Sequence, residues 1–180
     1  MKPGEYSATI TAGELSGTVS FQVEKDPRST ATDAEIEFWS GRLTEVTGLL
    51  NEMLDELAGV RRAKSQIAAL VERYPGNAEL KVAGNAAINK LTAWDAGLIQ
   101  PLHQTYEDED AWETMLVGQL RYLMDVIDGT GAPVTGGALL RLEDLKDQWA
   151  ELQTELQAIR TDYIDVINVW MSENNIPHVN

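Results

Sequence analysis

A continuous apolar seam constrains the fold of this chain more than any other feature of its sequence. Between residues 36 and 74 the seam positions alternate three and four apart, and Lys64 is the one polar member. This spacing places all of them on one side of an α-helix. The members are Ile36, Trp39, Leu43, Val46, Leu50, Met53, Leu57, Val60, Lys64, Ile67, Val71 and Tyr74. Such a helix is about 60–65 Å long at ~1.5 Å per residue, and its seam needs a cover that excludes water.

A second seam of the same kind lies near the end of the chain, and Pro177 closes it. Its members are Leu142, Leu145, Trp149, Leu152, Leu156, Ile159, Tyr163, Val166 and Trp170. Because each long seam needs a partner, we expect the first and last helices to pack antiparallel along most of their length.

Two shorter helices are predicted between these seams. The first runs from about Ala78 to Leu98, after the break at residues 75–77. The second is expected to start at Asp110, with Glu113 in its first turn. Its apolar face consists of Trp112, Leu116, Leu120, Leu123 and Ile127. Their lengths favour an end-to-end placement beside the long pair.

The residues before the first helix predict a β-hairpin. Segments 6–10 and 19–23 alternate apolar and polar side chains, and a glycine-containing turn is expected over 11–17. Asp26-Pro27 then ends the second strand. A lone hairpin leaves its edges and its apolar face open, so it would dock on the end of the bundle, associate with a second copy, or be disordered. We expect it to pair with or dock on a second copy, making a homodimer.

The chain therefore divides into a hairpin with its linker, residues 1–28, and a helical domain, residues 29–180. Thr32 and Glu35 have the spacing of a capping box and mark the start of the first helix. The predicted fold is mainly α: an elongated antiparallel helical bundle of two long and two shorter helices, preceded by an N-terminal β-hairpin.

The charge of the chain limits its partners. There are 14 Lys and Arg residues against 29 Asp and Glu, which gives a formal net charge of −15. Such a field repels phosphate backbones and anionic lipid surfaces, so we expect no nucleic-acid partner. No apolar run reaches the length of a membrane span, so no membrane insertion is expected. The absence of cysteine excludes disulfides, zinc-thiolate sites and cysteine nucleophiles.

Residues suited to metal binding or catalysis are few. Di-iron bundles use Glu-x-x-His pairs, but Gln100 and Asn175 stand three positions before His103 and His178. The acidic run at 107–110 lacks the glycine and the distal glutamate of a calcium loop. We interpret it as a solvated turn favoured by the dipole of the third helix, and both histidines as solvated. No catalytic, cofactor-binding or metal-binding residue is predicted.

The remaining patterns have structural interpretations. Glu151 and Glu155 lie one turn apart on a solvent-facing side of a helix, and the paired glycines around residues 129–137 mark helix ends. Lys64 would set register or extend its amine to solvent. The five tryptophans fit the core: Trp39, Trp94, Trp112, Trp149 and Trp170.

Four short segments also occur in a distinctive order. They are Lys2-Pro-Gly-Glu-Tyr-Ser-Ala-Thr-Ile10, Val23-Glu-Lys-Asp-Pro-Arg28, Leu98-Ile-Gln-Pro101 and Ile176-Pro-His-Val179, with the long helix between the second and the third. This order resembles the C-terminal region of large bacterial BNR/Asp-box proteins, which are sortilin-like β-propeller proteins often labelled glycosyl hydrolases. The resemblance covers essentially the whole chain.

The resemblance implies that residues 1–28 are the end of an immunoglobulin-like module and its linker. It also implies a piece of an exported protein, periplasmic or extracellular. The sequence contains no Ser/Thr-x-Asp-x-Gly-x-x-Trp box, so no propeller residue carries over. We therefore expect a non-enzymatic C-terminal accessory domain, acting as a scaffold or as an oligomerisation and interaction module. Its partners would be a second copy or the N-terminal part of the parent protein.

Two other functions fit the same sequence. The domain would form a substrate-facing wall of a glycan-active hydrolase, or the bundle would bind an apolar ligand between its helices. A filled interior favours the scaffold, whereas a sizeable pocket with convergent polar groups favours a ligand or substrate.

Overall fold

The computed structural model describes residues 2–179, and the side chains of all of these except residues 106, 109 and 130. The chain is mainly helical with an N-terminal hairpin, which confirms the predicted fold class. The strands are β1 (Gly4–Ala12) and β2 (Leu15–Val23). The helices are α1 (Asp33–Arg73), α2 (Ala78–Leu98), α3 (Leu116–Thr130), α4 (Gly136–Ile159) and α5 (Asp165–Glu173). A 3₁₀ helix covers Tyr106–Asp110, and a π-helical turn, Arg160–Ile164, joins α4 to α5.

Helices α2 and α3 follow one another beside α1, and both run antiparallel to it. Arg61 of α1 bonds Asp95 of α2, with 2.9 Å between the Arg61 Nη2 and Asp95 Oδ1 atoms. At the other end of α1, the Trp39 Nε1–H donates to the Ile127 carbonyl of α3 at 2.9 Å. The end-to-end placement predicted for the shorter helices is therefore confirmed.

The two long helices run parallel, so the antiparallel pairing expected for them is wrong. Successive residues of α1 meet successive residues of α4: Glu45 bonds Lys146 at 2.9 Å, and Glu52 bonds Gln153 at 2.7 Å. The backbones of α2 and α3 approach both long helices closely. A seam identifies the side of a helix that is buried, but it does not identify the helix that buries it. Here the two short helices cover both seams.

The core follows the length of the bundle and is apolar. Side chains with no more than 1% exposure include Val46, Met53, Ile67, Ala87, Leu91, Trp94, Leu98, Leu120, Ile127, Leu142, Leu145 and Ile167. No polar or charged residue among those described is buried. Burial of apolar surface, at about 25 cal/mol per Å², is therefore what holds the helices together.

The π-helical turn corrects the second seam. It adds one residue to a helical turn and so rotates everything after it around the helix axis. Val166, a predicted seam member, is 55% exposed as a result. Ile167 and Met171 take the core positions instead, at 1% and 5% exposure.

The start of α1 agrees with prediction and the start of α3 does not. The Thr32 hydroxyl accepts from the Glu35 amide at 3.2 Å, and the Glu35 carboxylate accepts from the Thr32 amide at 2.7 Å. Helix α3 begins at Leu116 rather than at Asp110, which ends the 3₁₀ helix. Trp112 therefore lies in a turn and is 48% exposed, not on the apolar face of a helix.

The hairpin is longer and its turn tighter than expected. Ala12 pairs with Leu15, so the connection is the two residues Gly13-Glu14 instead of the segment 11–17. Gly13 has a φ of +61°, a conformation that glycine adopts without steric cost and that two-residue hairpin turns require.

Candidate functional site

The hairpin places all its apolar side chains on one face. Its register opposes Tyr6 with Phe21 and Ala8 with Val19, and the two aromatic rings stack with their centroids 6.0 Å apart. We call this surface the hairpin face; it consists of Tyr6, Ala8, Ile10, Ala12, Leu15, Val19, Phe21 and Val23, with glycines at the two remaining positions. The predicted apolar residues of the two strands therefore do share one side.

The opposite side of the hairpin is polar at every position. Alternation along a strand puts there Glu5, Ser7, Thr9, Thr11, Ser16, Thr18, Ser20 and Gln22. The hydroxyls of Thr9 and Thr18 lie 2.9 Å apart across the strands. This complete division into two faces is typical of strands that cover an apolar interior on one side and meet water on the other.

Most of the hairpin face is uncovered, although Tyr6 and Val23 at its base are half-buried. Ile10 is 75% exposed, Leu15 77% and Val19 60%, whereas every seam residue of the bundle except Val166 is buried or half-buried. Side chains of this size are normally removed from water when they are grouped so densely. The face therefore has the composition of an interior surface and the exposure of an exterior one.

Both edges of the hairpin can pair with another strand. Each strand has nine residues in unbroken register, without a bulge, a proline or a lysine, which are the devices that usually block an edge. The closing pair at Ala12 and Leu15 exchanges hydrogen bonds, so outward-facing amides and carbonyls belong to residues such as Thr9 and Thr18. The hairpin thus offers an apolar face and free backbone donors and acceptors together.

Two contacts attach the hairpin to the beginning of α1. The Lys2 amine bonds the Glu37 carboxylate at 2.7 Å, and this partner raises the pKa of Lys2. The Lys25 amine donates to the Ala31 carbonyl, and Ala31 itself is buried at 6% exposure. These contacts lie at the base of the hairpin, so they leave its face free.

The two histidines lie in different segments of the chain, and each has a local partner. His103 is half-buried, with Nε2 3.3 Å from the Trp112 carbonyl, so the prediction that it is solvated is only partly correct. The exposed His178 has its Nε2 2.6 Å from the Ser172 hydroxyl. Among the side chains that the structure describes, no three His, Asp or Glu residues come together in a way that could hold a metal.

The acidic run serves to cap a turn. The Asp108 carboxylate accepts from the amides of Gln104 at 2.8 Å and Thr105 at 2.7 Å, and these bonds lower the pKa of Asp108. Helix α3 begins six residues after the run ends, so its dipole is not the cause that we expected. The side chain of residue 109 lies outside the described part of the chain.

Lys64 forms a bridge between helices. Its amine lies 3.5 Å from the Asp95 carboxylate, which Arg61 also binds. Burial acts to raise the pKa of Asp95, but the hydrogen bond and charge of Arg61, aided by Lys64, lower it overall. Lys64 thus joins α1 to α2, which is closer to a register role than to a side chain free in solvent.

The tryptophans are mainly core residues, as predicted. Trp94 and Trp149 are 1% and 3% exposed, and the Trp94 Nε1–H donates to the Leu152 carbonyl at 2.8 Å. Trp39 and Trp170 pack partly buried against the same core. Glu151 and Glu155 are both exposed, as expected for a solvent-facing side of α4.

No protein-family model, no curated protein and no solved structure matches this chain. Within residues 2–179, none of the helices combines the length and the apolar composition that crossing a bilayer requires. The hairpin face is accordingly the candidate functional surface on geometric grounds alone.

Proposed function

We propose that this chain is a non-enzymatic accessory domain that works as a scaffold and protein-interaction module, with the hairpin as its attachment element. The observation that carries the proposal is the exposed hairpin face, eight apolar side chains arranged as the inner layer of a β-sandwich. The continuous apolar core of the bundle supports a scaffold role.

The motif order described above supports a particular setting. It favours the C-terminal end of an exported BNR/Asp-box propeller protein, located in the periplasm or outside the cell. In that setting the hairpin belongs to an immunoglobulin-like module, and the bundle extends outward from it. The catalytic or binding work of the parent protein would then reside elsewhere in the polypeptide.

The partner of the hairpin face is a β-sheet with an open edge and an apolar side. Strands of nine residues at ~3.3 Å each, spaced by about 4.8 Å, give a footprint of roughly 300 Å². The eight apolar side chains on it are also far fewer than the ~20–30 residues that each partner contributes to a typical stable interface. A stable complex therefore needs edge pairing as well as face packing, which a β-sheet partner supplies.

Sedimentation of the purified chain tests this proposal, because the hairpin of a second copy is itself such a sheet. We expect weak dimerisation that increases with protein concentration. Val19→Lys should abolish it by placing a charge on the hairpin face, whereas Thr18→Gln, an uncharged control on the polar face, should preserve dimers. Both residues are exposed, so neither variant should lose its helical circular dichroism.

A wild-type chain that stays monomeric at every concentration would contradict the interaction proposal. So would equal dimerisation of the wild type and Val19→Lys, since the contact would then lie on another surface.

A further inference from the structure

A cavity of about 760 Å³ lies between α3, the first turn of α4 and the segment that joins α2 to α3. Its volume falls within the ~300–1,000 Å³ that small-molecule sites usually have. The surface inside it is mixed in character: Leu123 and Ala138 are buried and apolar, and Val126 is half-buried beside them. Arg121 and Arg141 also line it, from two different helices.

These two arginines account for half of the basic residues in their part of the chain. Residues 101–180 contain four basic side chains against fifteen acidic ones. Lys146 and Arg160 both bond carboxylates of α1 and hold the long helices in register. Arg121 of α3 and Arg141 of α4 take no part in these bonds to α1. The fold brings them to one concave surface instead.

The arginines are incompletely neutralised. Arg121 forms no ion pair with any residue that the structure describes. Arg141 lies 3.7 Å from the Asp144 carboxylate, a loose pair of exposed side chains that water screens strongly. Asp125 is a carboxylate on the same lining, so the described side chains of the cavity retain a net positive charge.

A chain of polar contacts orients one of them. The Thr114 carbonyl accepts from the Gln119 amide nitrogen at 2.6 Å, and the Gln119 amide oxygen accepts from the Arg141 guanidinium. Both Thr114 and Gln119 line the cavity. Gly137, in the first turn of α4, adds the positive end of that helix dipole.

We propose that this cavity binds a small organic anion, with a carboxylate or sulfonate between Arg121 and Arg141 and an apolar body against Leu123 and Ala138. Arginine pairs the planar oxygens of such groups in a bidentate manner. The charge of −15 on the whole chain disfavours large polyanions, so the ligand class is a compact molecule with one or two negative charges. This inference does not depend on the hairpin.

The test uses 2-naphthoate as the probe, followed by amide chemical shifts of the full chain in NMR titrations. We expect saturable shifts at Gly118, Leu123, Gly137 and Ala138. The neutral analogue 2-naphthalenemethanol should bind roughly tenfold more weakly, since it lacks the charge-assisted bonds.

Substitutions test whether naphthoate binds in this cavity. The double change Arg121→Gln with Arg141→Gln should weaken naphthoate binding roughly tenfold or more, whereas Arg62→Gln, an exposed arginine of α1, should leave it unchanged. Gly137→Leu should block the cavity, because Gly137 lines it. The variant can fold, since a Cβ at this position meets no atom within 4 Å. Gly136→Leu has the same open space and does not line the cavity, so it serves as its control.

Non-saturable shifts, equal affinity for the neutral analogue, or shifts confined to residues 4–23 would overturn the proposal. Unchanged affinity in both Gly137→Leu and the double arginine variant would also overturn it. None of these outcomes alters the dimerisation experiment, so the two proposals fail independently.

Discussion

Leu156 of α4 and Val19 of β2 occupy the same kind of position, the apolar side of a regular two-sided element. Leu156 is 2% exposed within the bundle core, whereas Val19 is 60% exposed on the hairpin face. The bundle supplies both halves of its own interior, and the hairpin supplies only one. A regular apolar pattern therefore indicates that a surface is suited to burial. It does not indicate which polypeptide buries that surface.

The largest effect should come from placing a charge on each of these two surfaces. Leu156→Asp should lower the free energy of unfolding by at least ~3 kcal/mol, because an unpaired carboxylate replaces a packed side chain. Val19→Asp should change it by no more than about 0.5 kcal/mol, since water already reaches that position. Urea unfolding of both variants measures the difference. If Leu156→Asp had the same urea midpoint as the wild type, Leu156 would not behave as a covered residue. The contrast between the bundle core and the hairpin face would then be wrong.

An intermediate effect is expected from deleting one ring donor in each region. The Trp94 Nε1–H bonds the Leu152 carbonyl at 2.8 Å in the core, and the Tyr6 hydroxyl bonds the Lys2 carbonyl at 2.7 Å in the hairpin. Trp94→Phe should cost about 1–3 kcal/mol, because the smaller ring leaves space in the core and the Leu152 carbonyl loses one of its two donors. Tyr6→Phe should cost much less, as water can replace the hydroxyl. Thermal unfolding of both variants is the measurement, and equal losses would contradict this account.

The smallest effect, and one that depends on pH, concerns a carboxylate in each region. Asp95 has a lowered pKa in the folded protein, so its ionic contribution is present above its unfolded pKa of ~3.9 and is lost as pH falls through the folded value. Asp95→Asn should therefore cost about 1 kcal/mol at neutral pH, and this cost should vanish in acid.

Asp26→Asn is the matched change in the linker. Its carboxylate bonds the Arg28 side chain, which is 89% exposed, and that bond also lowers the pKa of Asp26. We expect no measurable change in stability at any pH. Chemical unfolding of both variants at a series of pH values compares them, and a pH-independent cost of Asp95→Asn would exclude the ionic explanation.

Local signals in the sequence predicted local structure well. The spacing of Thr32 and Glu35 located the start of α1 within its first residues, because a capping box uses only neighbours along the chain. The alternation of the strands identified the hairpin and its apolar face. Leu15 was missed because the glycines on either side of it suggested a longer turn, although Gly13-Glu14 already fits a two-residue connection.

Features set by tertiary contacts could not be predicted in the same way. The parallel course of α1 and α4 depends on where α2 and α3 lie, which no single seam encodes. The π-helical turn leaves no clear mark on the pattern, because Val166 and Ile167 are both apolar and either could face the core. Arg121 and Arg141 were missed as a pair, since twenty residues of chain separate them and only the packing of α3 on α4 unites them. The scarcity of basic residues in this half was the one available signal.

The unbroken length of α1 has a mechanical consequence. At 41 residues it measures about 60 Å. It lies beside both α2 and α3 and so connects the two across the break between them. Lys2 joins the hairpin to Glu37 near the start of α1, while Tyr74 at the other end meets Trp170 of α5 in an edge-to-face contact with centroids 5.2 Å apart. If the hairpin joins a partner sheet as proposed, the bundle would act as a spacer that places the far end of α1 about 60 Å from its hairpin end.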